Sequence, residues 1–209
     1  MISLSEILHT IAQALLVPCL IILILLMAAA VWQVGDILVE YIAQRRKHRP
    51  NVPQLLKAIP HSGDDLPALI EESTLLRHQK KALLALAESR GLPKDALTAL
   101  AERLLATEEN SYARTTAITD MIAKLGPMFG LLGTLIPLGP GIVALGNGDT
   151  VTLSESMNVA FDTTIAGVIA AAVASVLSHI RKRWYSDDMV TLETLMEAVL
   201  EEVQTDAAR

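Results

Sequence analysis

Basic residues occupy only part of this chain. All 17 Lys and Arg fall between Arg45 and Lys124 or from Arg181 onward, so residues 1–44 and 125–180 carry none. Those two stretches hold the most apolar segments of a sequence that is 52% hydrophobic, 3% aromatic and 19% charged, with a mean hydropathy of +0.42. Such a mix fits a membrane protein with a substantial aqueous part better than a soluble enzyme. Positive residues flanking membrane spans favour the cytoplasmic side. Three spans then place the N-terminus outside, residues 45–118 inside, a short loop near Asn147–Ser154 outside and the tail inside, with no positive charge misplaced.

The expected fold is an all-α integral membrane protein with a cytoplasmic helical hairpin and a helical C-terminal tail. Residues 1–44 form an N-terminal segment and first span, apolar from about Ile11 to Val39. That run suffices to cross about 30 Å of hydrocarbon. A cleaved signal peptide would need a basic n-region and a shorter apolar core. Pro18 sits where a kink is cheap, and the basic cluster at residues 45–49 is expected to anchor the inner end and touch lipid. Residues 45–118 are the cytoplasmic helical region. Pro50, Pro53, Pro60 and Pro67 cut its start into short pieces, and helical periodicity begins near Ser73. Gly91 and Pro93 separate two helices, the second of which could run directly into the second span. Residues 119–184 are a two-helix channel core, and 185–209 a C-terminal amphipathic helix.

Small and hydroxylated residues are concentrated in the channel core. Gly126, Gly130 and Gly133 are spaced for close helix contact, as is Gly167 in the third span, because lipid gives no hydrophobic drive for association. Pro137 and Pro140 predict a kink or broken turn in the outer half of the second span. Thr134, Thr163, Thr164 and Ser175 are candidate pore-lining groups. A threonine in a membrane helix often bonds only its own i−4 carbonyl, but two threonine-bearing spans beside a glycine face favour a polar path. Asp162 is an acid within the third span, and such groups are costly enough to suggest a role. Cys19 reads as an apolar filler and the five histidines as solvent or interface residues; no cysteine or histidine spacing suits a metal or cofactor. The basic cluster is too isolated for nucleic-acid binding.

Gly130-Leu131-Leu132-Gly133-Thr134 and Ala160-Phe161-Asp162-Thr163-Thr164-Ile165-Ala166-Gly167 resemble the paired helix signatures of the MotA/TolQ/ExbB proton-channel family. The resemblance covers roughly residues 115–185 and places Thr134 and Thr164 at that family's pore threonines. Three spans match the ExbB/TolQ branch rather than the four-span MotA arrangement. Val159 stands where ExbB-type members carry a glutamate, and the Pro137–Gly141 run also departs from better-known members. The resemblance implies a stator-like homopentamer around a dimer of a single-span ExbD/TolR/MotB-like partner. That partner would supply the proton-carrying aspartate. Two other readings stay open: a non-conducting membrane scaffold, and the same motor driven by sodium. None of the three is an enzyme.

Overall fold

Proline and glycine positions set where helices start, stop and run on. The structure is a computed structural model that describes residues 4–42 and 51–206, with the side chains of Ser5, His61, Asp64 and Asp206 excepted. The basic cluster at residues 45–49 lies outside the described residues. Among the described residues every regular element is helical: α1 (Leu4–Ala14), α2 (Leu16–Glu40), α3 (Val52–Ala58), α4 (Leu66–Glu72), α5 (Arg77–Ala87), α6 (Lys94–Gly146) and α7 (Thr150–Asp206), with two single 3₁₀ turns between α3 and α4. Three helical stretches, Glu6–Glu40, Lys94–Gly146 and Thr150–Thr205, contain segments long and apolar enough to cross a membrane. Pro53, Pro60 and Pro67 each stand at the first turn of a short helix, where a missing N–H costs nothing.

The chain separates into two compact units. One comprises the residues up to Ile37 together with Ala117–His179, and the other comprises Leu38–Thr116 with the residues from Ile180 onward. In the first unit, Leu26, Ala30, Ile122, Ala170 and Ala174 form a buried cluster, with Ile22, Met27, Phe129 and Val173 packed around it. Helix α1 gives way to α2 at Leu15, three residues before Pro18. The proline ring collides with the carbonyl of residue i−4 and offers it no N–H, which loosens the preceding turn.

The broken turn expected at Pro137 and Pro140 does not form, because α6 continues through both to Gly146. Pro140 deprives the Ile136 carbonyl of its helical donor, and Gln13 Nε2 of α1 supplies one at 3.4 Å. A freed carbonyl at bilayer depth is tolerated when another protein group satisfies it. The tail also departs from expectation. It is no separate helix but the end of α7, since the last glycine of the chain is Gly167 and no proline follows Pro140.

Between α6 and α7 the turn is tight. Gly148 has φ +80, a left-handed conformation that L side chains seldom adopt. Asp149 caps α7: its Oδ1 accepts from the Val151 N–H at 3.2 Å and the Thr152 N–H at 3.1 Å, and its Oδ2 from the Thr152 hydroxyl at 2.5 Å. The Thr152 hydroxyl, then the Thr152 N–H, hold this carboxyl below its usual range.

In the second unit, Ile59, Leu66, Ile70, Leu83 and Leu86 pack with Leu97 of α6 and with Leu192, Leu195, Met196, Val199 and Val203 of α7. Gln79 is buried among them, accepting from the Leu76 N–H at 3.2 Å and donating to the Asp188 carbonyl at 3.0 Å. Above this core lie polar and aromatic contacts that the periodicity did not reveal. Tyr112 and Tyr185 stack at 4.3 Å, and His78 meets Tyr112 edge-on and bonds its hydroxyl. His78 is therefore a packed residue rather than a solvent one. Arg181 is only 1% exposed and pairs with Glu40 of α2 at 3.3 Å. Tyr185 Oη donates to the same Glu40 oxygen at 3.4 Å.

Removing one member of a buried ion pair strands the other. Arg181→Met should therefore cost about 3–5 kcal/mol, and adding Glu40→Leu should recover most of the loss. Thermal unfolding of the wild type and the two variants in one detergent checks this. Acid should weaken the Asp149 cap. Because its folded-state pKa is lowered, the stabilisation is present above the ordinary carboxylate range and lost as pH falls through the lowered value. Asp149→Ala should accordingly flatten the stability profile below about pH 4, as followed by circular dichroism.

Candidate functional site at the seam between α6 and α7

Small residues let α6 and α7 approach until backbone meets backbone. A Cβ added at Gly167 would lie 2.5 Å from the Gly126 carbonyl oxygen and 2.9 Å from Gly130 Cα. One added at Gly126 would lie 2.7 Å from the Gly167 oxygen. At Gly133 it would meet the Thr163 side chain, 2.6 Å from Cβ and 2.7 Å from Oγ1. Gly130 is looser, with 3.4 Å to the Thr163 oxygen and 3.6 Å to Thr164 Cα. The seam reaches toward the turn between α6 and α7, where Gly141 faces Ser156 Cβ at 3.0 Å. All four predicted packing glycines thus belong to one interface.

The hydroxyls divide into three sets around that seam. Thr163 is 4% exposed, seated against Gly133, and donates to the carbonyls of Val159 and Ala160, each at 2.9 Å. Its place is inside the helix pair. Thr134 and Thr164 are half-buried at the seam's edge. Thr134 donates to the Leu131 carbonyl at 2.6 Å and Thr164 to the Ala160 carbonyl at 3.1 Å. Such back-bonding satisfies each hydroxyl hydrogen locally and leaves the oxygen lone pairs able to accept. Asp162 and Ser175 are exposed. Ser175 follows Thr164 by about three helical turns, on nearly the same face.

Two further contacts bind this unit. Cys19 of α2 is buried and donates its S–H to the Phe129 carbonyl at 3.3 Å, so it is a weak polar tie as well as a filler. Ser178 of α7, only 3% exposed, donates to Asp120 Oδ1 of α6 at 2.5 Å. Sequence reading passed over Asp120, an acid at the start of the second span. Its spacing from Thr134 was the available signal. Among the described residues no group of His, Cys, Asp and Glu is arranged to hold a metal ion.

Residues 70–194, more than half of the chain, match the MotA/TolQ/ExbB proton channel family. A relative from Methanothermobacter thermautotrophicus, named "Putative biopolymer transport protein ExbB homolog", is 30% identical over 137 residues. The match takes in 62% of this chain and 48% of that protein, so the chain spans about half the length of the relative.

The seam makes a stability prediction. Gly167→Ala must push backbone against backbone and should cost about 1–3 kcal/mol, whereas Gly91→Ala, with nothing within 4 Å of its Cβ position, should be tolerated. Thermal melts of the purified variants distinguish the two.

Proposed function

The chain belongs to the MotA/TolQ/ExbB proton channel family, and on that premise we propose that it is the proton-conducting, stator-like subunit of a membrane motor. The observation that carries the reading is the seam itself. Gly126, Gly130 and Gly167 fix the register of α6 against α7, and this leaves Thr134 and Thr164 half-buried at the seam's edge instead of facing outward like Leu132 or Ile165. A chain built only to anchor other proteins has no need for hydroxyls there.

In the proposed assembly several copies, five by family resemblance, surround a dimer of a single-span ExbD/TolR/MotB-like protein in the cell membrane. The N-terminus is outside, and residues 45–118 and the tail are cytoplasmic. The partner brings an aspartate. A charged carboxylate in hydrocarbon is costly, so it moves as the neutral acid or rests where polar groups meet it. Thr134 and Thr164 offer such a niche, with oxygen lone pairs for the protonated acid and rotatable hydroxyls for the anion. Thr163 holds the two helices together behind them. Ser175 continues the face of Thr164 toward the far end of α7, and Asp162, about 160° around α7 from Thr164, is exposed to water or a neighbouring copy. The driving energy is about 2.3 kcal/mol per proton per 100 mV, enough to bias a step between similar niches. This activity is transport, not enzymatic turnover.

Proton flux into vesicles that contain this chain and its single-span partner tests the reading. Wild type should conduct only with the partner present. Thr134→Val combined with Thr164→Val, which keeps side-chain shape and removes both hydroxyls, should reduce flux by about a hundredfold while the complex stays assembled. Undiminished flux in the double variant would refute the lining. An assembled wild-type complex that conducts no protons would favour the scaffold, or the sodium-driven motor if sodium flux replaces it.

A further inference from the structure

The Asp120–Ser178 pair repeats the geometry of the two pore threonines at a second level. Asp120 lies two heptads before Thr134 on α6, and Ser178 lies two heptads after Thr164 on α7. Residues separated by whole heptads return to one face when two helices wrap closely, and even in a straight helix they stay within about 40°. The two helices are antiparallel, so moving both by two heptads keeps their register. The pair therefore occupies the threonine face about 21 Å nearer the Lys124 end of the first unit. The contact is physical: Ser178 Oγ donates to Asp120 Oδ1 at 2.5 Å. The hydroxyl is almost wholly buried, and Asp120, anchored by it, keeps partial solvent exposure.

From this placement we infer that Asp120, oriented by Ser178, is the group that passes protons between the threonine-lined passage and the cytoplasmic water. The inference deepens the proposed channel function and rests on it. The transfer is a simple relay. The Asp120 carboxylate takes the excess proton of a hydronium ion in the passage, leaving water, and becomes the neutral acid. It then gives that proton to water on the cytoplasmic side and returns to the anion. No other bond changes. Serine cannot do this unaided, because its hydroxyl does not ionise at ordinary pH; its part is to hold the carboxylate in place. Other ionisable residues of the same unit are Lys124, one turn along α6 and exposed, His179, next to Ser178 and exposed, and Asp36 near the end of α2.

The test uses the full chain with its single-span partner in vesicles, with proton flux recorded as a function of pH on the side of the Arg45–Lys124 region. Asp120→Asn should lower flux by roughly a hundredfold, and Asp120→Glu, which keeps a carboxylate, should restore most of it. Ser178→Ala should leave flux measurable but move its pH midpoint by about one unit, as expected when a hydrogen bond to a carboxylate is removed. A structural role alone would lower flux without moving that midpoint. If Asp120→Asn does not assemble, the Ser178→Ala profile decides. Full flux in Asp120→Asn, or an unmoved midpoint in Ser178→Ala, overturns the inference and leaves the channel reading standing, provided the threonine variants still abolish flux. An assembled wild type without proton flux overturns both.

Discussion

Everything in the membrane-type unit depends on the backbone contact between Gly126 and Gly167. Their Cβ-free surfaces let one helix rest on the other's carbonyl, and a methyl at either position would fall within 2.7 Å of backbone oxygen. In a bilayer this closeness is the attraction, because lipid tails are as apolar as leucine and only packing and hydrogen bonds favour association. Close approach also removes freedom of register. Once Gly126 faces Gly167 and Gly133 faces Thr163, the levels of Thr134, Thr164, Asp120 and Ser178 are fixed. The chemistry assigned to the site follows from a steric fact.

Several polar groups around the seam follow one rule, a partner inside the protein. Pro140 frees the Ile136 carbonyl, and Gln13 takes it up. The buried thiol of Cys19 finds the Phe129 carbonyl. Thr163 bonds two carbonyls of its own helix. The same rule holds in the second unit, where buried Arg181 meets Glu40 and buried Gln79 closes on Asp188. Where hydrocarbon or a packed core replaces water, unsatisfied groups are expensive. The groups left at the seam's edge, Thr134 and Thr164, are consequently the informative ones.

Much of this was legible in the sequence, and for physical reasons. Charge-poor apolar runs and the gap in basic residues gave three membrane-length segments, and Gly91 with Pro93 marked the turn before α6. The direct continuation of that helix into the apolar segment could be read from the absence of proline between Pro93 and Pro127. Glycine spacing pointed to Gly126, Gly130, Gly133 and Gly167 but not to Gly141 at the seam's end, and the GLLGT and AFDTTIAG segments identified the family. What escaped was tertiary. No local pattern says that Gln13 would rescue a proline-freed carbonyl more than a hundred residues away and so keep α6 unbroken. Nor does periodicity distinguish Arg181, buried against Glu40, from its exposed neighbours Lys182 and Arg183. Thr163 and Thr164 are adjacent in sequence, but about 100° of helical rotation sends one into the seam and the other to its edge. Asp120 was missed because an acid at a span's end looks like an ordinary boundary residue until its partner on α7 is seen.

The central claim is that the edge of the seam carrying Thr134 faces the partner's span, and proximity can be measured directly. Cysteine cross-linking in a Cys19→Ala background would compare Thr134→Cys with Leu132→Cys, at nearly the same depth but about 160° away around α6, against a cysteine at the partner's membrane aspartate. The account predicts rapid disulfide formation from position 134 and none from position 132. Cross-linking from Leu132→Cys in preference to Thr134→Cys would show that the hydroxyl-bearing edge faces elsewhere, and the channel built on it would fall.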